Sequence, residues 1–312
     1  MMKKTISIVV SVYNEEEVLG RFYEEALKVL GGISWEWELV FVNDGSVDGS
    51  YAILSELCEK DNRVKLISFS RNFGHEAAMI AGIDYSTGDG IVCMDADLQH
   101  PVECIPEIIE RFEQGYEVIN MVRVSNRSAG LIKNLASAAF YKLINLLSDV
   151  KFENNASDFF AVGRKAANVL KKNYREKVRF LRGYVQNVGF RRTVIEYEAH
   201  DRAAGKSKYS LAKLFRFSVH TIVCFSDLPL KLGILAGVVV AALGGVLLLY
   251  TLLTRSGAPG GYTTIVAVLC FMFALLFIFI GIIGEYIAIL FTELKDRPIY
   301  LVEEVKNMET DD

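Results

Sequence analysis

The sequence predicts an α/β domain with a mostly parallel sheet, followed by an interfacial amphipathic helix and a two-helix transmembrane hairpin. Over residues 6–122 of a predicted domain at residues 1–209, short β-branched segments alternate with amphipathic helical segments, a pattern typical of a parallel sheet covered by helices on both faces. Two long apolar segments without a charged residue follow, at residues 232–253 and 263–284. The length of the chain does not require a second soluble domain.

Predicted strands and helices alternate through the first part of the domain. The strands lie in residues 6–13, 38–44, 64–70, 90–97 and 116–122, and the helices in residues 16–30, 48–58, 75–85 and 103–112. The first, second and fourth strands end in polar residues, namely Tyr13-Asn14-Glu15, Asn43-Asp44 and Asp95-Ala96-Asp97. Because ligands of open α/β sheets bind beyond the carboxyl ends of the strands, we expect a ligand site at this edge.

The same domain continues after the fifth strand. Residues 130–147 have apolar side chains at helical spacing, and residues 189–199 are strand-like. In residues 210–229, a predicted helix carries Lys213, Arg216 and His220 on one face and mostly apolar side chains on the other. Such a helix lies in the plane of a membrane interface. An ordinary helix on the domain surface has the same amphipathicity and stays an open alternative.

Both long apolar segments are predicted to span a membrane. A helix of 22 residues reaches about 33 Å, enough to cross a hydrocarbon core of about 30 Å. The connection, residues 254–262, is rich in Gly and contains Pro, so it reads as a tight turn. Buried core helices of a globular protein are the alternative, but such helices rarely stay uncharged over six turns.

The distribution of basic residues predicts the orientation in the membrane. Five precede the first span and two follow the second, whereas the connection contains Arg255 alone; the flanking residues are Lys206, Lys208, Lys213, Arg216, Lys231, Lys295 and Arg297. Cationic flanks stay on the cytoplasmic side. We therefore expect an integral protein of the inner (cytoplasmic) membrane, with the soluble domain, residues 292–312 as a C-terminal tail, and both termini in the cytoplasm.

The net charge and the N-terminal segment exclude two classes of interpretation, a general nucleic-acid-binding protein and a cleaved signal peptide. The formal net charge is −4 over 312 residues, which gives no general attraction for polyanions and makes nucleic acid an unexpected partner. The N-terminal apolar stretch is short, β-branched and followed by acidic residues rather than by a cleavage site. It is predicted to be the first strand and not a signal peptide.

The motif VCMDADLQHP, residues 92–101, is the most specific cluster of candidate functional residues. An apolar strand delivers two carboxylates, Asp95 and Asp97, to the expected ligand edge. Oxygen ligands of this kind hold Mg²⁺ or Mn²⁺ and leave coordination positions for phosphate oxygens. A single pair of such acids occurs often by chance, but here VSVYNEEE and VNDGSVDGS accompany it at the first and second strands.

With these motifs the chain resembles the family 2 glycosyltransferases with a GT-A fold, in particular the polyprenyl-phosphate glycosyltransferases related to dolichol-phosphate mannose synthase and to bactoprenol glucosyl transferases. The resemblance covers nearly the whole chain. It includes SRNFGHEAAMIAGIDYSTGD, SDF, FLRG, RAAGKSKYS and the paired apolar segments. It implies a Rossmann-like, mostly parallel sheet and a transfer from a nucleotide sugar.

The resemblance also assigns residues. Nucleotide-sugar contacts fall on Tyr13, Glu15, Asp44, Asp95 and Ala96. Metal and sugar-phosphate contacts fall on Asp95, Asp97 and Gln99, of which Asp97 and Gln99 are the metal ligands, for Mg²⁺ or Mn²⁺. Residue chemistry agrees, because carboxylates accept hydrogen bonds from base and ribose donors. The structural alternatives are a helix N-terminal acid for Glu15 and turn or capping chemistry for Asp44, whereas Asp48 is expected to be such a turn or capping residue.

A diphosphate leaving group and a phosphate acceptor both require cations, and the candidates are Arg179, Arg182, Arg202, Ser207 and Lys208. An Arg grips phosphate with two parallel hydrogen bonds, and Lys adds a point charge. General attraction to anionic lipid is the alternative for the motif RAAGKSKYS. Pairing with Glu176 is the alternative for Arg179 and Arg182.

The resemblance marks Asp158 as catalytic, together with Asp95. A polyprenyl phosphate has a second pKa of about 6, so its attacking oxygen is ionised without a strong base. Asp158 is therefore expected to orient the acceptor or the metal at least as well as to remove a proton. The chain departs from the family pattern at Phe160, where Arg is usual, at Ser11, where Pro is usual, and at His100, where an acid is common.

These observations predict an inverting transfer of one hexose, with glucose from UDP-glucose as the specific expectation, to undecaprenyl phosphate at the cytoplasmic leaflet. Glycines in the spans favour a homo-oligomer, for example a tetramer. A processive polysaccharide synthase shares the first three motifs, but its usual QxxRW element and additional spans are not in the sequence. A catalytically inactive scaffold that binds nucleotide sugars is the non-enzymatic alternative. His75 stays outside the predicted site, as a polar residue at a helix start.

Overall fold

The structure is a computed structural model that describes residues 3–124, 156–177, 179–199 and 261–308, together with 233, 235–240, 242–243 and 246. The predicted helix at residues 130–147 and the interfacial helix at residues 210–229 lie outside the described residues. The chain divides into two compact units. The first comprises Met1–Asn145, Asp149–Ser210 and Pro298–Asp312, and the second comprises Leu146–Ser148 and Leu211–Arg297.

From Thr5 to Arg123, the first unit has the alternating order that the sequence predicts. Its elements are β1 (Thr5–Val12), α1 (Leu19–Leu30), β2 (Glu36–Asn43), α2 (Ser50–Lys60), β3 (Val64–Phe69), α3 (His75–Tyr85), β4 (Gly90–Asp95), α4 (Ile105–Glu113), β5 (Val118–Arg123), β6 (Ala156–Gly163), α5 (Arg164–Asn173), α6 (Leu181–Asn187), β7 (Arg192–Tyr197) and β8 (Val302–Lys306). A short 3₁₀ turn precedes α4.

These strands form one eight-stranded sheet in the order β7-β5-β6-β4-β1-β2-β3-β8. The central strands are parallel, with β1 between β2 and β4 and with β3 beyond β2. β6 is antiparallel to both of its neighbours, β4 and β5. The mostly parallel sheet expected for the GT-A fold is confirmed. Chain order reverses between β1 and β4, and in open α/β sheets a crevice for ligands opens at such a point.

Burial explains why these segments fold as they do. Residues Ile6–Val12 of β1 are all buried, as expected for a central parallel strand with both faces covered. α1 buries Leu19, Phe22, Ala26 and Leu30, which lie on one face at helical spacing. The resulting apolar core fixes the register of the central strands and therefore the positions of the residues at their carboxyl ends.

α3 packs unusually close to the sheet. Its residues Ala77–Ile83 are all buried, and a Cβ added at Gly82 would lie 2.0 Å from Val9 Cγ1 of β1. Val9 is itself fully buried and β-branched, so it has little freedom to move. Gly82 therefore permits the close contact that positions the start of α3 near the ends of β1 and β4.

β8 is a difference from the sequence-based expectation, in which residues 292–312 form a tail. Val302–Lys306 instead pair in antiparallel register with β3 and form one edge of the sheet. Three of the five residues of this strand, VEEVK, are charged, so the segment lacks the apolar alternation that predicts a half-buried strand. Charged residues are common on edge strands because they hinder pairing with other chains.

The described part of the second unit is dominated by α7 (Tyr262–Leu294), a helix of 33 residues. Among the described residues, its segment Phe271–Leu294 is the one that is long and apolar enough to cross a membrane. The helix continues past residue 284, the predicted end of the second span, to Leu294. In the predicted first span, the described residues are helical.

Substitution of Gly82 by Ala should destabilise the first unit by about 1 to 3 kcal/mol, because the added methyl overlaps Val9. Gly20→Ala is the matched control, since no described atom lies within 4 Å of a Cβ at Gly20 on α1; it should change stability by less than about 1 kcal/mol, in the stabilising direction. Both tryptophans, Trp35 and Trp37, are buried in this unit, so their fluorescence reports its unfolding. Equal effects of the two substitutions would contradict the close packing.

Candidate active site

The pairing of β6 with β4 brings two predicted catalytic carboxylates to one edge of the sheet. The strands are antiparallel, and Cys93 pairs with Phe160. Continuing this register places Asp158, near the start of β6, level with Asp95, at the end of β4. Both side chains are partly exposed, by 33% and 31%, so each is accessible to a ligand. This edge of the sheet therefore contains the end of β4, which is parallel to β1, and the beginning of β6, which is antiparallel to β4.

His75 lies between these two carboxylates. Its Nδ1 is 2.8 Å from Ser11 Oγ and 3.4 Å from Asp95 Oδ1, and its Nε2 is 3.9 Å from Asp158 Oδ2. Ser11 Oγ in turn donates to Asp95 Oδ1 at 3.1 Å. Burial alone would lower the pKa of His75, but the charges of the two carboxylates outweigh it and the net effect raises the pKa. The four side chains form one continuous polar group.

Asp158 also forms an ion pair with Arg182, one of the cationic side chains that are predicted to bind phosphate. Its Oδ1 lies 2.9 Å from Nε of Arg182, near the start of α6. Burial acts to raise the pKa of Asp158, but Arg182 and the nearby histidines outweigh burial and lower it. The carboxylate is therefore ionised at neutral pH and is a weak proton acceptor. Arg182 therefore has an ion-pair partner at the predicted catalytic carboxylate.

Asp44 occupies the opposite side of the edge, at the end of β2. The register of β1 with β2 pairs Val12 with Asn43, so Tyr13 and Asp44 follow at the same level. Tyr13 is 37% exposed, whereas Asp44 is only 2% exposed. The Asp44 carboxylate accepts hydrogen bonds from the backbone amides of Phe73, at 2.6 Å, and Gly74, at 3.0 Å. Burial nevertheless raises the pKa of Asp44, against the effects of these amides, His75 and Arg179.

The loops after β1 and β2 are joined by further hydrogen bonds. The amide of Glu15 donates to Ser50 Oγ at 2.9 Å, which fixes the backbone of this predicted nucleotide contact. The Asp48 Oδ1 atom accepts from the amide of Ser50, the first residue of α2, at 3.0 Å. Asp48 thus stabilises the turn before α2, in agreement with the structural role expected for it. Both interactions rigidify the edge where Tyr13 and Glu15 lie.

The loop after β4 holds the predicted metal ligands. The Asp97 Oδ1 atom accepts a hydrogen bond from the backbone amide of Gln99 at 3.1 Å. The residue between them, Leu98, has a φ of 61°, a left-handed conformation that is unfavourable for a branched side chain. His100 is buried and its Nδ1 accepts from the Asp95 amide at 3.0 Å. Burial lowers the pKa of His100, which agrees with this acceptor role, because only a neutral ring has an acceptor nitrogen.

The donor atoms of this loop suit a hard cation. No group of three or more His, Cys, Asp and Glu side chains forms a metal site among the described residues. Mg²⁺ commonly takes one or two protein carboxylates and completes its shell with substrate phosphates and water. Asp97 offers a carboxylate, and Gln99 offers an amide oxygen, which lies 3.4 Å from Nη2 of Arg123. The residues therefore fit Mg²⁺ or Mn²⁺ bound together with a diphosphate.

Of the remaining predicted site residues, two are described by the structure and three are not. Ala96 is buried directly after β4, and Arg179 lies close enough to Asp44 for its charge to favour the ionised carboxylate. Arg202, Ser207 and Lys208 lie outside the described residues, so their predicted role in binding phosphate stays a prediction.

Sequence reasoning missed His75 and Glu76, the first two residues of α3. Glu76 Oε1 accepts from the amide of Leu181, the first residue of α6, at 3.2 Å. Burial, with a further contribution from Asp158, raises the pKa of Glu76 to about 7. The available signal was the polar pair after Gly74 in RNFGHEAA, at the carboxyl end of the third strand. This strand therefore contributes to the ligand edge as the first, second and fourth strands do.

Replacement of Glu76 by Gln should change how stability depends on pH. The folded state binds more protons than the unfolded state between the ordinary Glu pKa, about 4.5, and the folded value, about 7, so wild-type stability falls as pH rises through that window. Gln keeps the oxygen that accepts from Leu181 and removes the ionisation. The variant should therefore gain stability relative to wild type on going from pH 5 to pH 7.5, by at most about 1.4 kcal/mol per pH unit.

Thermal unfolding at a series of pH values measures this difference. Glu56→Gln is the control, because the hydrogen bond from Lys60 to exposed Glu56 lowers the pKa of that carboxyl, which leaves no titration within the window. Parallel stability profiles for Glu76→Gln and wild type would contradict the raised pKa.

Comparison with known proteins assigns the family. The profile of glycosyl transferase family 2 matches residues 7–170, and the profile described as the GtrB C-terminal hairpin matches residues 228–290. The uncharacterized glycosyltransferase YkcC of Bacillus subtilis is 40% identical over 97% of this chain and 94% of its own length. A prophage bactoprenol glucosyl transferase homolog of Escherichia coli is 36% identical over 96% of this chain and 99% of its own length. The bactoprenol glucosyl transferase of Shigella phage SfX is 35% identical over 96% of this chain and 99% of its own length. This chain belongs to glycosyl transferase family 2.

Proposed function

We propose that this protein transfers one hexose, with inversion, from a nucleotide sugar to undecaprenyl or a related polyprenyl phosphate at the cytoplasmic leaflet. UDP-glucose is the specific donor proposed. The observation that carries the proposal is a contiguous group of side chains at one sheet edge, Ser11, His75, Asp95, Asp158 and Arg182. This group would lie between the bound donor and the bound acceptor. The relatives named bactoprenol glucosyl transferase support the choice of acceptor and sugar.

The donor nucleotide would bind where β1 and β2 end. Tyr13 is exposed and offers a ring on which a base can stack, while Glu15 and Asp44 offer oxygens for base and ribose hydrogens. Asp44 already accepts two amide hydrogens, so its remaining lone pairs would serve the nucleotide. Asp95 and Ala96 would border the sugar phosphate.

A divalent cation would be held by Asp97 and Gln99. When bound, the cation neutralises charge on the departing nucleoside diphosphate. Asp97 is largely buried, so the protein contributes a preorganised oxygen ligand that needs little reorientation. Leu98, which lies between these two metal ligands in the chain, turns the backbone there through its left-handed conformation.

The acceptor phosphate would bind beside Asp158. Its oxygen attacks the anomeric carbon while the bond from that carbon to the nucleotide diphosphate breaks on the opposite face, which inverts the centre. The attacking oxygen is already ionised, because the second pKa of such a phosphate is about 6. Asp158 then acts chiefly by holding the Arg182 guanidinium toward the phosphate. Arg179, Arg202, Ser207 and Lys208 are proposed as further contacts to the acceptor and the diphosphate.

A membrane hairpin would hold the protein at the membrane that contains the lipid acceptor. A Cβ added at Gly233 would lie 3.1 Å from Phe279 Cδ1, so described residues of the first apolar segment pack against α7. This contact supports a two-helix hairpin within the second unit. Gly237, Gly281 and Gly284 have no described atom within 4 Å of an added Cβ. Exposed small residues allow helices of neighbouring subunits to approach closely, which supports a homo-oligomer.

The reaction is tested with purified protein in nanodiscs that contain undecaprenyl phosphate, Mn²⁺ or Mg²⁺, and a panel of radiolabelled UDP- and GDP-sugars. We expect metal-dependent label in the organic phase from one donor, and its loss in Asp97→Ala. Asp61→Ala is the control, because Asp61 pairs with Arg63 before β3, at the amino end of the strands, and should keep its activity.

Other outcomes select the alternatives. Long labelled polymer would indicate a processive synthase. Metal-dependent nucleotide binding without any lipid-borne label would contradict the proposed acceptor and favour the inactive scaffold.

The ion pair between Asp158 and Arg182 predicts a specific pattern of variant kinetics. Asp158→Asn and Arg182→Gln should each lower kcat/KM by about 10²-fold, because either change misplaces the acceptor phosphate. The double variant should be no more than a few-fold worse, since the two residues act as a unit. Steady-state kinetics with both substrates measures this cycle. Losses that multiply would contradict an orienting role and favour independent functions, with Asp158 as a base.

A further inference from the structure

Residues 298–301, which connect α7 to β8 in the chain, lie against the loop between β3 and α3. The ring of Tyr300 stacks on Phe69, the last residue of β3, with centroids 5.1 Å apart and planes inclined by 8°. The carbonyl of Leu301 accepts from the Ser70 amide at 3.1 Å. This segment therefore supports the loop from its outer side.

The support continues through the loop to the proposed nucleotide site. Phe69 is 2% exposed and meets the ring of Phe73 edge to face, with centroids 5.7 Å apart. The Phe73 amide donates to Asp44, as does that of Gly74. Gly45 also packs on this loop, since an added Cβ would lie 2.4 Å from the Arg71 carbonyl carbon. The loop is thus held between an aromatic stack and a buried carboxylate.

Tyr300 also contacts the far end of α3. Its hydroxyl donates to Asp84 Oδ2 at 2.7 Å, and the same carboxylate pairs with Arg175 at 2.8 Å. Burial and Asp84 raise the pKa of Tyr300, so the hydroxyl keeps its proton. A single side chain therefore holds the last turn of α3 directly and the loop that precedes His75 through Phe69 and Phe73.

We propose that Tyr300 is a positioning residue for the donor nucleotide, acting through the stack of Tyr300, Phe69 and Phe73 on the amides that hold Asp44. The inference rests on the proposed function, because it takes Asp44 to border the nucleotide. Without the stack, the Phe73 and Gly74 amides lose their fixed position, and Asp44 loses its fixed orientation with them. Donor binding should weaken, whereas acceptor binding beside Asp158 should not.

The test compares Tyr300→Leu with Tyr300→Phe in the full-length protein. Tyr300→Leu removes the stack and should raise the Kd for UDP with Mn²⁺, and the KM for the donor, by about two- to tenfold, the range that one aromatic pair supplies. Tyr300→Phe removes only the hydrogen bond to Asp84 and should bind UDP as wild type does. Neither variant should change the KM for the lipid.

Tyr51→Leu is the matched control. Tyr51, on α2, donates its hydroxyl to Glu304 of β8, so this variant also detaches part of the C-terminal segment, but away from the β3–α3 loop. It should lower thermal stability and leave UDP affinity unchanged. Phe73→Leu interrupts the stack at its other end; it should reproduce the weaker UDP binding, and it decides the test if Tyr300→Leu does not fold.

The inference is overturned if wild type binds UDP and the folded stack variants bind it equally well, whatever their thermal stability. A wild-type protein that binds no UDP or other nucleotide would instead overturn the proposed function. The two failures are therefore distinguished by the wild-type measurement alone.

Discussion

The site depends on the antiparallel pairing of β6 with β4. A purely parallel sheet would gather only residues that follow strands at this edge, and here these include Tyr13, Asp44 and Asp97. The reversed direction of β6 adds a residue near the start of a strand, Asp158, and the register sets it level with Asp95. Two carboxylates with different surroundings can then serve two substrates within one crevice.

Charge balance follows from this arrangement. Two partly exposed carboxylates at neighbouring positions would repel each other, and the structure separates their charge with His75 and Arg182. In the proposed reaction both substrates are anionic, and the Arg182 guanidinium is already in place when phosphate enters. A cation on Asp97 and Gln99 would add to the same balance. In the proposed mechanism the protein would supply a preorganised electrostatic environment rather than a strong base.

Much of this arrangement could be predicted from the sequence. Alternating strands and helices predict the parallel sheet, and polar residues after β1, β2 and β4 predict the edge that carries the site. The partners of Arg182 and Asp44 could not be predicted, because they depend on contacts between segments far apart in the chain. His75 was not predicted because a polar residue at a helix start is common, and only tertiary structure shows the carboxylates beside it. β8 escaped prediction because edge strands need little apolar sequence.

The central claim is that donor and acceptor meet at the edge of the sheet where β1 and β4 end and the neighbouring strand β6 begins. The most direct measurement is an experimental structure of the protein with UDP and Mn²⁺ bound. The account predicts uridine beside Tyr13 and Asp44, Mn²⁺ on Asp97 with the diphosphate, and the diphosphate facing the space between Asp95 and Asp158. A nucleotide bound at another edge of the sheet, or Mn²⁺ held without Asp97, would contradict it.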